Sequence, residues 1–238
     1  MTLRLSTKRI IKSLCTLAGL LILLHVISLA AHAWYENRLT DVMVEKFSLE
    51  NEGNFPTYFS AFLLFFAATL FGIIGRGIRL TKNSYWRYWW GLSLIFVFLS
   101  LDEAVQLHEK LDTDLIWSSF DTYGLLAWPW VILYGSLAAM VALIYGKFWW
   151  DLPGKYRVLF GLSAALYVGS AIGLEMFEAR EFTTNGGATF KFLLLTSIEE
   201  SLEITAIILV ISTCFRYIGE HMPDLQISFA WAGDLRTS

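Results

Sequence analysis

This sequence is short of charge. Only 16% of its 238 residues are Asp, Glu, Lys or Arg, where an ordinary soluble domain carries about 25%. With 56% hydrophobic residues and a mean hydropathy of +0.54, that shortage excludes a domain that faces water on all sides. Cysteine is nearly absent as well. Cys15 and Cys214 make no disulfide framework and have no zinc-type spacing, so they are read as thiols packed in a membrane. The sequence also lacks a phosphate-binding glycine loop, a Ser/His/Asp nucleophile motif and a basic nucleic-acid patch, so no nucleic-acid partner is expected. The net charge of -3 matters less than where the charges lie.

Long apolar runs are what the sequence has. A spanning helix needs about 20 mainly apolar residues, and segments 10–34, 56–77, 86–108, 122–147, 156–178 and 189–215 meet that requirement. The expected fold is all-α, a bundle of six transmembrane helices over residues 1–217, followed by a polar tail over 218–238. Ten Trp, ten Tyr and eighteen Phe suit a chain that crosses the membrane interface many times. The first segment follows Arg4, Lys8, Arg9 and Lys12 and ends at Ala31-His32-Ala33. It is too long for a typical signal peptide and is expected to remain as the first helix.

Basic residues set the expected orientation. Thirteen of the eighteen fall on the N-terminal side of the six-helix arrangement, and only Arg38, Lys46, Lys110, Arg180 and Lys191 fall on the other. Both termini are therefore expected to be cytoplasmic. Tryptophans agree, with Trp86, Trp89, Trp90, Trp149 and Trp150 at the inner face and Trp34, Trp117, Trp128 and Trp130 toward the outer one. In the first outer connection, Asp41 to Phe47 has the spacing of a short interfacial helix. The chain then turns at Glu52-Gly53-Asn54, and Pro56 takes a position where a helix tolerates a missing N–H. This connection is expected to cap the outer mouth of the bundle. Pro129 is expected to kink the fourth helix, and Gly161, Gly169 and Gly173 to allow close helix approach.

Three of the apolar runs carry acids. Ser100 to Glu109 contains Asp102, Glu103, His108 and Glu109; the fifth segment contains Glu175 and Glu178; the sixth contains Glu199, Glu200 and Glu203. At about 100° and 1.5 Å per residue, Asp102, Gln106 and Glu109 share a face, with Glu103 and His108 flanking it on opposite sides. Asp102, Glu175 and Glu199 fall at a similar depth in the outer half of the bilayer. Carboxylates in hydrocarbon cost several kcal/mol unless protonated, hydrated or paired, and no basic residue within the helical stretches is placed to pair with them, Lys110, Arg180 and Lys191 lying only at the outer edge. The expectation is one carboxylate chamber holding a divalent ion such as Fe, Mn, Mg or Ca. Asp102, Glu103, His108, Glu175, Glu199, Glu200 and Glu203 are expected as ligands or proton carriers, Glu109 and Glu178 at the outer rim, and Gln106, Thr196, Ser197 and Ser201 as supporting partners. His25 is read as a hydrogen-bonded packing residue. Three functions fit: a metal-dependent enzyme acting on a membrane-soluble substrate, a proton- or cation-coupled transporter or channel, and an accessory subunit with a structural polar network.

Glu52-Gly53-Asn54-x-Pro56-Thr57, Ser100-Leu101-Asp102-Glu103 with the following His108-Glu109, and Glu199-Glu200-x-x-Glu203 together resemble a group of bacterial multi-pass membrane proteins of unassigned function. The resemblance implies a bacterial inner-membrane setting and no activity. Intramembrane CAAX-type proteases also carry a Glu-Glu pair, but their following Arg and further His motifs are missing here.

Overall fold

The computed structural model describes residues 6–82, 84–108 and 123–223. Seven helices occur, in order α1 (Thr7–Trp34), α2 (Arg38–Phe47), α3 (Phe55–Leu80), α4 (Trp86–Val105), α5 (Trp130–Trp150), α6 (Gly154–Asn185) and α7 (Phe190–His221), among the described residues. A 3-10 turn at Gly124–Leu126 precedes α5, and no strand occurs among the described residues. Five of these helices, α1, α3, α4, α5 and α6, are long and apolar enough to cross a membrane. The remaining long helix, α7, has 32 residues and spans about 48 Å at 1.5 Å per residue.

Local sequence explains the starts of the helices. Asn37 accepts hydrogen bonds from the N–H groups of Leu39 and Thr40 at 2.9 and 3.2 Å, and Thr40 Oγ1 accepts from the Asn37 N–H at 3.1 Å. This reciprocal box starts α2, so the short helix expected from Asp41 begins three residues earlier. Gly53 takes φ +71°, which favours a residue without a Cβ. Asn54 then caps α3 by accepting from the Thr57 N–H at 3.2 Å, with Pro56 in the first turn.

Helix α3 is the central element, and Leu63, Ala67 and Ile74 along it are fully buried. Helix α4 lies against it through two hydroxyls, Ser93 and Ser100, which donate to the Ala68 and Ala61 carbonyls at 2.8 Å each. Small residues bring the two helices close. A Cβ on Gly75 would lie 2.8 Å from Trp90 Cδ1. At the end away from α2, rings of Phe71, Trp89, Phe148, Phe160 and Tyr217 pack together at centroid distances of 4.9 to 6.0 Å.

Three expectations change. Pro129 does not kink a helix: it precedes Trp130, the first residue of α5, because a proline ring fits a helix start where no N–H is needed. Gly161 does allow a close approach, with Trp149 3.2 Å from where its Cβ would lie, but Gly169 and Gly173 have nothing within 4 Å. The helix α7 runs to His221, past the boundary expected at 217. The positions Glu109, Lys110 and Trp117, and the tail from 224, lie outside the described residues.

Candidate cation site in a carboxylate chamber

Two breaks in regular α-helix shape this site. The first ends α4: Gln106 adopts a left-handed conformation at φ +58° and its N–H closes on the Asp102 carbonyl at 2.7 Å. The chain therefore turns back, and His108 meets the residue six positions before it. Its N–H donates to Asp102 Oδ1 at 3.0 Å and its Nδ1 lies 3.3 Å from Oδ2. The second break is a π-helical turn at Gly169–Leu174 within α6. Its i→i+5 bonding widens the turn and rotates the C-terminal part of α6 relative to a continuous α-helix, and Glu175 is the first residue of that part.

Glu175 and Glu178 of α6 meet Glu199 of α7. Each offers a carboxylate oxygen, and these oxygens lie within 4.8 Å of one another. Glu178 is 2% exposed and Glu199 5%. Thr196 Oγ1 donates to Glu178 Oε2 at 2.7 Å, and the Trp130 indole N–H reaches Glu175. Glu178 Oε1 and Glu199 Oε2 are buried and receive no N–H or hydroxyl donor from outside the trio, whereas the Glu199 carboxyl lies within hydrogen-bonding reach of Glu178 and Glu175, so a shared proton would also pair them. Three ionised groups at 4.8 Å would repel pairwise by about 3.5 kcal/mol each at an effective dielectric of 20. The three pairs sum to about 10 kcal/mol, which is comparable to the whole stability of a folded domain. The trio therefore needs protons or a cation.

Beside it stands a second polar group. Asp102 is buried and already fully occupied: Oδ1 accepts from the His108 N–H and from Tyr134 OH, both at 3.0 Å, and Oδ2 faces His108 Nδ1. Because a carboxylate only accepts, Nδ1 carries a proton. The other ring nitrogen, Nε2, lies 3.4 Å from Glu52 Oε1. A further proton, on the ring or on the Glu52 carboxyl, or a cation is then required, since two bare acceptors would repel. Glu52 Oε2 is buried and unpartnered.

The remaining acids lie within electrostatic reach of the two groups. Glu103 interacts electrostatically with Glu52, His108 and Asp102. Glu200 interacts with Glu203, Glu103, Glu175 and Glu52, and Glu203 with Glu103, Glu175, His108 and Glu178. The Tyr167 phenol of α6 is within the same reach of Glu203, Glu103, Glu200 and Asp102. Above them lies the loop between α2 and α3. Burial raises the Glu50 carboxyl above its ordinary value, and the charge of Glu178 raises it further.

A family model described as a domain of unknown function, DUF8692, matches residues 14–218. The chain belongs to the DUF8692 family. The matched region holds every carboxylate named above. No match was found among curated proteins or among solved structures.

Within the DUF8692 region, acids of two of the expected segments come together in Glu175, Glu178 and Glu199, and Glu103 of the third lies within electrostatic reach of Glu200 and Glu203. Glu178, expected at the rim, is instead buried in the trio. His108 does not flank the face of α4 opposite Glu103, because the left-handed Gln106 ends the helix first. Gln106 contributes its backbone N–H to that helix end, and Ser197 is engaged elsewhere. His25, 2% exposed, accepts from the Leu49 N–H at 3.0 Å through Nδ1 and bonds Ser197 Oγ at 2.8 Å through Nε2, while Ser197 Oγ donates to the Leu193 carbonyl at 2.6 Å. That chain ties α1, the α2–α3 loop and α7 together, as its reading as a packing residue implies. Ser201 Oγ donates to the Ser197 carbonyl.

Four contributors escaped the sequence reading: Glu52, Trp130, Tyr134 and Tyr167. Glu52 left a trace in the Glu-Gly-Asn-x-Pro-Thr run, where the positive φ of Gly53 and the Asn54 cap fix its loop. The aromatic residues left none, because the apolar runs are full of rings.

Proposed function

We propose that this DUF8692 chain crosses the membrane six times, with α7 as the sixth crossing and both termini cytoplasmic, and binds a divalent cation in the chamber. The observation that carries the reading is the convergence of carboxylate oxygens from Glu175, Glu178 and Glu199 within 4.8 Å of one another, with no donor from outside the trio on Glu178 Oε1 or Glu199 Oε2. These three are the core ligands. Glu103, Glu200 and Glu203 supply further oxygens or carry protons, and Asp102 acts mainly by orienting His108. A set dominated by oxygen suits Mg, Ca or Mn, and the imidazole close by extends the range to Fe. The setting is the plasma membrane of a bacterium. A cation there supplies Lewis acidity next to titratable groups, which fits an enzyme acting on a membrane-soluble substrate.

Elemental analysis of the purified, reconstituted protein tests this. One or more divalent ions per chain are expected in the wild type, with loss in Glu178→Gln and Glu199→Gln. A wild type that holds no stoichiometric metal after reconstitution sinks the reading.

A transport reading has one observation in its favour. Electrostatic interactions link acids from the loop, at Glu50 and Glu52, to Glu200 and Glu203, as a cation path would require. Proteoliposome flux that is abolished by Glu200→Gln and Glu203→Gln would favour it over the enzyme.

A further inference from the structure

At the end of the bundle away from the carboxylates, Arg76, Arg79, Leu80 and Lys82 from the end of α3 line a pocket of about 340 Å3 with Trp90 of α4. We propose that this pocket holds the headgroup of an anionic phospholipid. Two features of the site point to that ligand, its charge and its wall.

Among the described residues the charge is uncompensated. Arg76, Arg79 and Lys82 take part in none of the ion pairs among the described residues. Lysines at the same end of the bundle do find acids: Lys147 pairs with Asp151 at 3.1 Å and Lys155 pairs with Glu220. The bland role for cations here is to complement the C-terminal end of α3, but a helix end carries only about half a negative charge. Three cations exceed that about sixfold. Arg79 is held in place, with its guanidinium 5.0 Å from the centre of the Trp86 ring, and a fixed guanidinium fork matches phosphate oxygens.

The wall is apolar and open. Leu80 is 74% exposed and Trp90 41%, and both sit at the end of helices apolar enough to span a membrane. An acyl chain can run down α3 and α4 from a phosphate held by the arginines, whereas a soluble phosphate would leave Leu80 and Trp90 uncovered. Basic pockets between membrane helices bind anionic headgroups on the same physical basis. The assignment does not depend on the cation site.

Native mass spectrometry of the full chain, released from nanodiscs of phosphatidylcholine with a minor fraction of phosphatidylglycerol, tests the assignment. Phosphatidylglycerol is expected to be retained selectively. The triple substitution Arg76→Gln, Arg79→Gln, Lys82→Gln is expected to weaken retention by roughly a hundredfold, and Arg157→Gln, at the same end, to leave it intact. A second measurement needs no variant: phosphatidylglycerol added to the wild type in neutral detergent is expected to raise its unfolding temperature, and soluble glycerol phosphate to leave it unchanged. Equal retention of the two lipids, unchanged retention in the triple variant, or equal stabilisation by glycerol phosphate would each overturn the proposal.

Discussion

Asp102 and His108 face each other across the end of α4, with the His108 N–H 3.0 Å from Oδ1 and Nδ1 3.3 Å from Oδ2. The contact exists because Gln106 leaves the helix. It presents Nε2 toward Glu52 and so connects the α2–α3 loop to the chamber.

Replacing Asp102 with Ala strands three donors: the His108 N–H, its Nδ1–H and Tyr134 OH. Each stranded polar group costs about 1–3 kcal/mol, softened here because His108 and Tyr134 are only partly buried. A fall in stability of about 2–4 kcal/mol is expected by thermal unfolding in detergent. Asp102→Asn, which keeps acceptor capacity at one oxygen, is expected to lose less.

If a cation occupies the trio, chelation will lower the unfolding temperature of the wild type. A ligand present at about a hundred times its dissociation constant stabilises by about 2.7 kcal/mol. Glu199→Gln is expected to unfold at the same temperature with and without chelator. A chelator shift of equal size in wild type and variant would show that the ion sits elsewhere.

His25→Ala breaks the bonds to the Leu49 N–H and Ser197 Oγ at once. Beyond a destabilisation of about 2–4 kcal/mol from the lost contacts and the cavity, hydrogen exchange is expected to speed up selectively at residues 48–54. Uniform acceleration along the whole chain would count against a local role in holding that loop.

Asp151, between α5 and α6, gives a pH dependence whose sign is set by its partners. The Tyr85 hydroxyl, foremost, and Lys147 hold its carboxyl below the ordinary value. A depressed carboxyl contributes stability that is present above its unfolded-state value and is lost as pH falls through the lower folded-state value. The wild type is therefore expected to lose stability on acidification through the carboxylate range more steeply than Asp151→Asn, as read by unfolding temperature against pH. Parallel profiles would refute the assignment.

At Gly75 a side chain has no room beside Trp90. Gly75→Leu is expected to cost about 1–3 kcal/mol by overpacking, whereas Gly169→Ala, which meets nothing within 4 Å, should be tolerated. Equal effects of the two substitutions would contradict the close α3–α4 packing.

The helices and the chemistry they carry are encoded locally. Apolar runs of spanning length, the Asn54–Pro56 start of α3 and the short helix before it could all be read directly, because local propensity and hydropathy act within one segment. The pairing of the acids of the fifth and sixth segments, Glu175 with Glu199, was legible too, since carboxylates in apolar helices need one another, a proton or a cation. Tertiary structure decided what irregular backbone controls. The left-handed Gln106 turned His108 back onto Asp102, and the π-helical turn at Gly169–Leu174 preceded the turn that buries Glu178, which simple helix counting had left at the rim. Packing decided the rest, because Glu52 of the α2–α3 loop, Trp130 and Tyr134 of α5 and Tyr167 of α6 reach the acids from three elements, and no periodicity within one segment encodes which side chain of another will face it.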